Sequence, residues 1–262
     1  MKKMDVGFDK RGQVSLFVII AVVVIAIIGV VIYFNSSGKY LNEGSFNDHP
    51  VYNFVQSCVD ETLEKGIEVV GLQGGYYNDP VLSKFYLNYN VPYYWSENVS
   101  SVPSVGVIEE ELSKYMEDNL RFCLNEFEIY GDSEYEIKSQ VVKVKSLKVG
   151  EELIEVELDF PVSVGKGDDT SNFRKFSSEM NNDLKKARDF SFQIIEEQKK
   201  NPNEMPVGYI TQLAVDNGFE FETVYLEDSD VLYTLILGSE DSEFIYAFVV
   251  DYEWEVEEDE TG

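Results

Sequence analysis

The chain has 262 residues and carries 49 acidic against 21 basic side chains, a formal net charge of −28. That balance excludes nucleic acid as a partner, because its binders need a basic face, and it argues against a folded domain lying on anionic lipid. Aromatic residues make up 14% of the chain, with 17 Tyr and 17 Phe, more than a disordered polymer carries, so most of it should fold around a core.

In chain order the first element is the uninterrupted apolar run Val14–Phe34, VSLFVIIAVVVIAIIGVVIYF. About 20 such residues in a helix rise roughly 30 Å, the depth of a bilayer hydrocarbon core, and a helix satisfies its own backbone hydrogen bonds there. The run is longer than the apolar region of a cleaved secretory signal. Lys2, Lys3, Lys10 and Arg11 precede it, whereas residues 35–49 hold one Lys. Basic flanks face the cytoplasm. The expectation is a single-pass protein of the cell membrane: a cytoplasmic stub or leader at 1–12, a transmembrane helix in the lipid bilayer at 13–34, a stalk at 35–49, and the bulk extracytoplasmic.

Arg11-Gly12-Gln13-Val14-Ser15, followed by the apolar helix, resembles the archaeal class III (type IV pilin-like) signal sequence. The resemblance implies cleavage between Gly12 and Gln13 by a membrane peptidase, and an exposed helix of the kind that packs in filament cores. Where that family usually has Glu, this chain has Phe17. The wider chain, with Cys58-Val59 and then Gly71-Leu72-Gln73-Gly74-Gly75-Tyr76, is similar to uncharacterised single-span surface proteins of small-genome archaea.

Past the stalk, Val51, Phe54, Val55, Cys58, Thr62 and Leu63 recur at helical spacing and predict a helix over 51–70, stopped at Gly71 and Gly74-Gly75. Ile108, Leu112, Tyr115, Met116, Leu120, Cys123 and Phe127 predict a second helix over 107–127. Both cysteines lie on these apolar stripes. Facing stripes would bring the sulfurs together, and an oxidising exterior predicts a Cys58–Cys123 disulfide. Between the helices, 76–103 is aromatic, holds Pro80, Pro92 and Pro103, and reads as irregular. Within it, Tyr93, Tyr94 and Trp95 leave two readings open. They form a recognition surface for a sugar or a protein, or they pin a long loop onto the core. Asn98-Val99-Ser100 is a glycosylation sequon, as is the less favourable Asn35-Ser36-Ser37 beside the membrane.

After Gly131 the period changes to two. Ile154, Val156, Leu158, Phe160, Val162 and Val164 alternate with polar neighbours and predict a strand, paired through Gly150-Glu151 with residues 135–149. Residues 172–181 are ambiguous. Helices follow over 182–200 and 207–216, then three strands over 219–226, 231–237 and 244–252. The tail, EWEVEEDE over 253–260, is acidic and suits at most weak binding of divalent cations. The expected fold is α+β: a disulfide-linked helical region with an aromatic loop at 50–130, then an α+β domain at 131–262 with helices on one face of an antiparallel sheet.

No catalytic constellation emerges. His49 is the only histidine, two cysteines cannot make a zinc site, and Gly74-Gly75 lacks the context of a phosphate loop. The acidic runs at 109–111 and 196–197 read as solvated helix faces, and no cofactor motif is present. The sequence therefore points to a structural or interaction role, with self-association or an unknown envelope protein as partner and pilin-like assembly as one form of it. The alternatives are a glycan- or peptide-binding module and, last, an extracytoplasmic hydrolase using paired carboxylates.

Overall fold

The computed structural model describes residues 49–226, 229–239 and 242–252. The chain divides into two compact units, Met1–Pro50 and Val51–Gly262, and the elements below form the second, its first helix starting at Pro50. Among the described residues no helix is long and apolar enough to cross a membrane. The run Val14–Phe34, the Gly12-Gln13 bond, Asn35 and the tail 253–262 lie outside them.

The described helices are α1 (Pro50–Leu72), α2 (Val105–Leu124), α3 (Leu184–Gln198) and α4 (Val207–Asn217). The strands are β1 (Ser83–Tyr86), β2 (Tyr89–Ser96), β3 (Val99–Ser100), β4 (Tyr135–Ser139), β5 (Lys143–Val149), β6 (Leu153–Lys166), β7 (Asp169–Asn181), β8 (Glu220–Tyr225), β9 (Asp230–Ser239) and β10 (Ser242–Asp251). The class is α+β, as the patterning predicts. The single antiparallel sheet is corrected to two sheets. The first runs β1-β2-β10-β9-β8, with β3 also on β2, and its β2–β10 contact is parallel. The second is built on β6, which pairs with β4 and β5 on one edge and β7 on the other.

β6 buries Ile154, Val156, Leu158, Phe160, Val162 and Val164 on one face. Its other face carries ion pairs to the flanking strands, Glu157 to Lys145 at 2.7 Å and Asp159 to Arg174 at 2.6 Å. Pro161 sits mid-strand and cannot donate a ladder hydrogen bond. The β6–β7 register shifts between Asp159 and Val162, and on the opposite edge the neighbouring strand is interrupted between Ser139 and Lys143, dividing it into β4 and β5. The ambiguous stretch 172–181 is β7.

α2 is capped by Ser104, whose hydroxyl accepts from the Val107 amide. It ends at Leu124, earlier than the stripe suggests, because Asn125, Glu126 and Phe127 all turn left-handed. α1 lies against α2 and both sheets. Tyr52 stacks on Phe176 with ring centroids 5.1 Å apart. Gly66 meets the Tyr115 ring, and Gly71 meets the Ile245 carbonyl of β10. Cys58 and Cys123 form the expected disulfide between α1 and α2, with Cα atoms 5.6 Å apart.

The expected irregular loop over 76–103 is corrected to β1, β2 and β3. Two tight turns hide these strands from sequence reasoning. Leu87 and Asn88 make one, Glu97 and Asn98 the other, and all four have left-handed backbone. Such turns are normally signalled by glycine, and neither pair contains one. Because β2 and β10 are partners, segments 50–130 and 131–262 share one sheet and one core.

The bridge spans 65 residues of sequence, for which chain entropy gives a stabilisation of about 4 kcal/mol. Replacing Cys58 and Cys123 together by Ser should lower the urea midpoint accordingly. Reducing the parent protein should produce most of the same fall, which separates the bond from the cost of a buried hydroxyl. An unchanged midpoint on reduction would show that packing alone holds α1 to α2.

Candidate functional site

The first sheet has two unlike faces because its strands alternate. Tyr233 and Leu235 on β9, with Tyr246, Phe248 and Val250 on β10, join the main core with residues of all four helices. Val91, Leu232, Ala247 and Val249 make a separate small cluster on the opposite face, covered by Tyr86, Tyr89, Tyr93 and Leu226. β1 and the first half of β2 therefore bend out of the sheet as an arm over its outer face.

Three contacts fix the arm. The Asp230 carboxylate, 6% exposed, accepts from Lys84 Nζ at 2.8 Å and Tyr93 Oη at 2.6 Å. At the base, Glu111 Oε2 accepts from the Tyr77 and Asn78 amides and from Asn78 Nδ2, while its Oε1 accepts from Lys114. Beyond β3, Arg188 Nε donates to the Pro103 carbonyl at 2.8 Å. Burial acts to raise the Glu111 pKa, but the hydrogen bonds from Asn78, Lys114 and Tyr77 outweigh it and hold the carboxyl below its ordinary value.

The trio Tyr93, Tyr94 and Trp95 is placed mainly in the core. Tyr94 is fully buried and Trp95 is 6% exposed. The Tyr94 ring stacks on Phe248 at 4.8 Å, and Phe248 stacks on Tyr233 at 5.2 Å, a ladder across β2, β10 and β9. Tyr94 Oη donates to the Gly74 carbonyl and shares a 2.6 Å hydrogen bond with Tyr246. Tyr233 likewise meets Tyr252, whose hydroxyl reaches Gln198 at 2.9 Å. Burial pushes all four hydroxyl pKa values upward, so these phenols stay neutral. Of the two readings of these rings, burial favours the core clasp, because the strand pairing turns two of the three inward.

The same segment does present apolar surface, at residues outside that trio. Val81, Leu82, Phe85 and Leu87 are exposed on the arm, Phe85 at 68% and Leu87 at 71%. Phe85 and Tyr86 line a shallow cavity of about 540 Å³ with Lys84, Tyr225 and Leu226. Leu87 has φ of 45°, a region that costs a non-glycine residue about 1–2 kcal/mol. An exposed leucine there benefits neither backbone nor solvation. Asn98 is exposed at the tip of the next turn. A larger cavity, about 630 Å³, lies at the end of α2 among Arg121, Phe122, Asn125, Glu126 and Glu128.

Chemistry beyond contact finds little support. Among the described residues no three His, Cys, Asp or Glu side chains converge as metal ligands, and no buried side-chain nitrogen or oxygen lacks a partner. No protein-family model, curated protein or solved structure matches the chain.

Two outcomes follow from this geometry. Truncating Trp95 to Ala should cost about 3–5 kcal/mol, as buried aromatic-to-alanine changes do, and a denaturation curve against the parent reads it. Glu111→Gln should cost about 1–2 kcal/mol at neutral pH. A carboxyl with a depressed folded pKa stabilises above its unfolded value and loses that contribution as pH falls through the folded one. The gap between parent and Glu111→Gln midpoints should therefore narrow on acidification. A constant gap would mean that the charge of Glu111 contributes nothing.

Proposed function

We propose that this is a single-pass surface protein, anchored by Val14–Phe34, whose extracytoplasmic unit is an interaction module presenting the β1–β2 arm to a protein partner. The observation that carries the reading is the arm tip. Leu87 holds a strained backbone and an exposed apolar side chain together, a combination that folding disfavours and contact with a partner repays. The Cys58–Cys123 disulfide supports the extracytoplasmic placement, since such bonds persist in oxidising compartments. The basic flank and length of the apolar run support the anchor. On the resemblance of Arg11–Ser15, the mature chain starts at Gln13 after cleavage behind Gly12, and the partner is then a second subunit or an envelope protein. The exposed turn at Asn98 suits a glycan of the same compartment.

Location is tested by adding protease to intact cells, which should digest the folded unit; complete protection until the membrane is breached would overturn it. The contact role is tested with a photo-crosslinking residue at position 85 in cells. A discrete adduct should form there and be lost on Leu87→Gly, while that variant melts no lower than the parent, because glycine relieves the strained φ. Absence of any adduct, or a lower melting temperature for Leu87→Gly, would sink the idea that the leucine serves contact rather than folding.

A further inference from the structure

β8 ends the first sheet, and its outward edge differs from the β5 and β7 edges of the second. On β5 the Val144 and Val149 amides donate to Glu117 and Glu109 of α2, at 2.8 and 3.1 Å. On β7 the Ser177 carbonyl accepts from Gln56 of α1 at 2.8 Å. Those edges are partly covered by helix side chains. β8, by contrast, has β9 as its one strand neighbour among the described residues, and of its side chains Tyr225 donates to Met205 Sδ at 3.2 Å.

Its free groups can be named. The Leu226 amide donates to Asp230, its register partner. Antiparallel ladders alternate bonded and non-bonded pairs, so Val224, Glu222 and Glu220 bond to β9. Phe221 and Thr223 therefore turn their N–H and C=O groups outward. Natural edges are blunted by charged side chains, above all Lys, by Pro or by a bulge, and of these β8 has only Glu220 and Glu222. The sequence of β8, EFETVY, has no Lys or Pro, is rich in strand-forming residues, and pairs with β9 without a register shift.

Charge selects the occupant. Glu220 and Glu222 are exposed on the outer face, and neither belongs to an ion pair among the described residues. Two copies of β8 joined edge to edge would set these glutamates beside one another, which is destabilising. A basic strand would meet them favourably, on a chain whose net charge is −28.

We propose that the outer edge of β8 is a docking site for an extended, Lys- or Arg-bearing segment of a partner protein, added as a further strand beside Glu220–Tyr225. This mode of recognition takes affinity from main-chain hydrogen bonds and selectivity from alternate side chains. The inference goes beyond the arm and does not depend on it.

The test titrates the full-length chain in detergent with a labelled peptide of about ten residues, alternating Lys and Val. A second peptide of equal charge is N-methylated at alternate residues, so that it cannot complete a ladder. The plain peptide should bind at least about tenfold more tightly than the methylated one, the equivalent of about 1.4 kcal/mol. Thr223→Pro removes an outward N–H without touching the β9 ladder; it should weaken binding by a similar factor while the melting curve stays cooperative. Glu220→Gln with Glu222→Gln should weaken binding and reduce its salt dependence. Equal binding of the two peptides would reduce the effect to general attraction for an acidic surface and overturn the proposal. So would equal binding of an alternating Glu-Val peptide. The comparison of peptides holds even if Thr223→Pro fails to fold.

Discussion

A Cβ at Gly71 would come within 2.5 Å of the Ile245 carbonyl oxygen, and one at Gly66 within 2.7 Å of the Tyr115 ring. α1 can lie where it does only because both residues are glycine. That closeness sets the rest. It brings α1 against β10 at one end and within disulfide reach of α2 along its length, while Tyr52 engages β7 at the other end. At the end of α1, Gly74 and Gly75 adopt positive φ and Gly74 crosses close to the Ala247 carbonyl. The chain can then enter the arm directly over the sheet it is to cover. The buried Glu111 closes that corner by gathering two amides and an amide side chain at once.

What the sequence disclosed tracks how local the cause is. The helix stripes, the β5–β6 hairpin and the β8–β10 meander depend on periodicity and turn residues close in sequence, and they stand near their expected places. The disulfide was legible because each cysteine sits on the buried side of a helix. β2 was not. Its tyrosines face both ways, Pro92 argues against a strand, and its sheet partner lies at the far end of the chain. The same distance explains why the sequence left two readings open for one trio: which of Tyr93, Tyr94 and Trp95 turns inward is decided by β10, not by neighbours. Phe85 and Leu87 could have been found only by recognising Leu-Asn as a left-handed turn, an uncommon choice for that geometry.

The two faces of the first sheet divide labour. The inner face is dense with stacked rings and paired hydroxyls, so it is rigid and neutral. The outer face is half covered by the arm, held by the buried Asp230 at its Lys84 and Tyr93 contacts. Losing either partner leaves Asp230 short of a donor in a place that water reaches poorly, and such losses are usually costly. The apolar display at the tip is therefore carried on a firmly seated base, which preorganises a surface for contact.

The parallel pairing of β2 with β10 has a consequence for how the protein matures. The hydroxyls of Tyr94 and Tyr246 meet across 152 residues of sequence, and loop closure of that length makes the contact a late event. During synthesis from the N-terminus, β2 emerges early and waits through nearly the whole domain with its tyrosine and tryptophan rings uncovered. Until β10 arrives it has only its short neighbours β1 and β3, and the edge that β10 will cover stays open to proteases and to other chains. The α1–α2 half, joined by its disulfide, can settle first, so quality control of this protein is decided by its last strands.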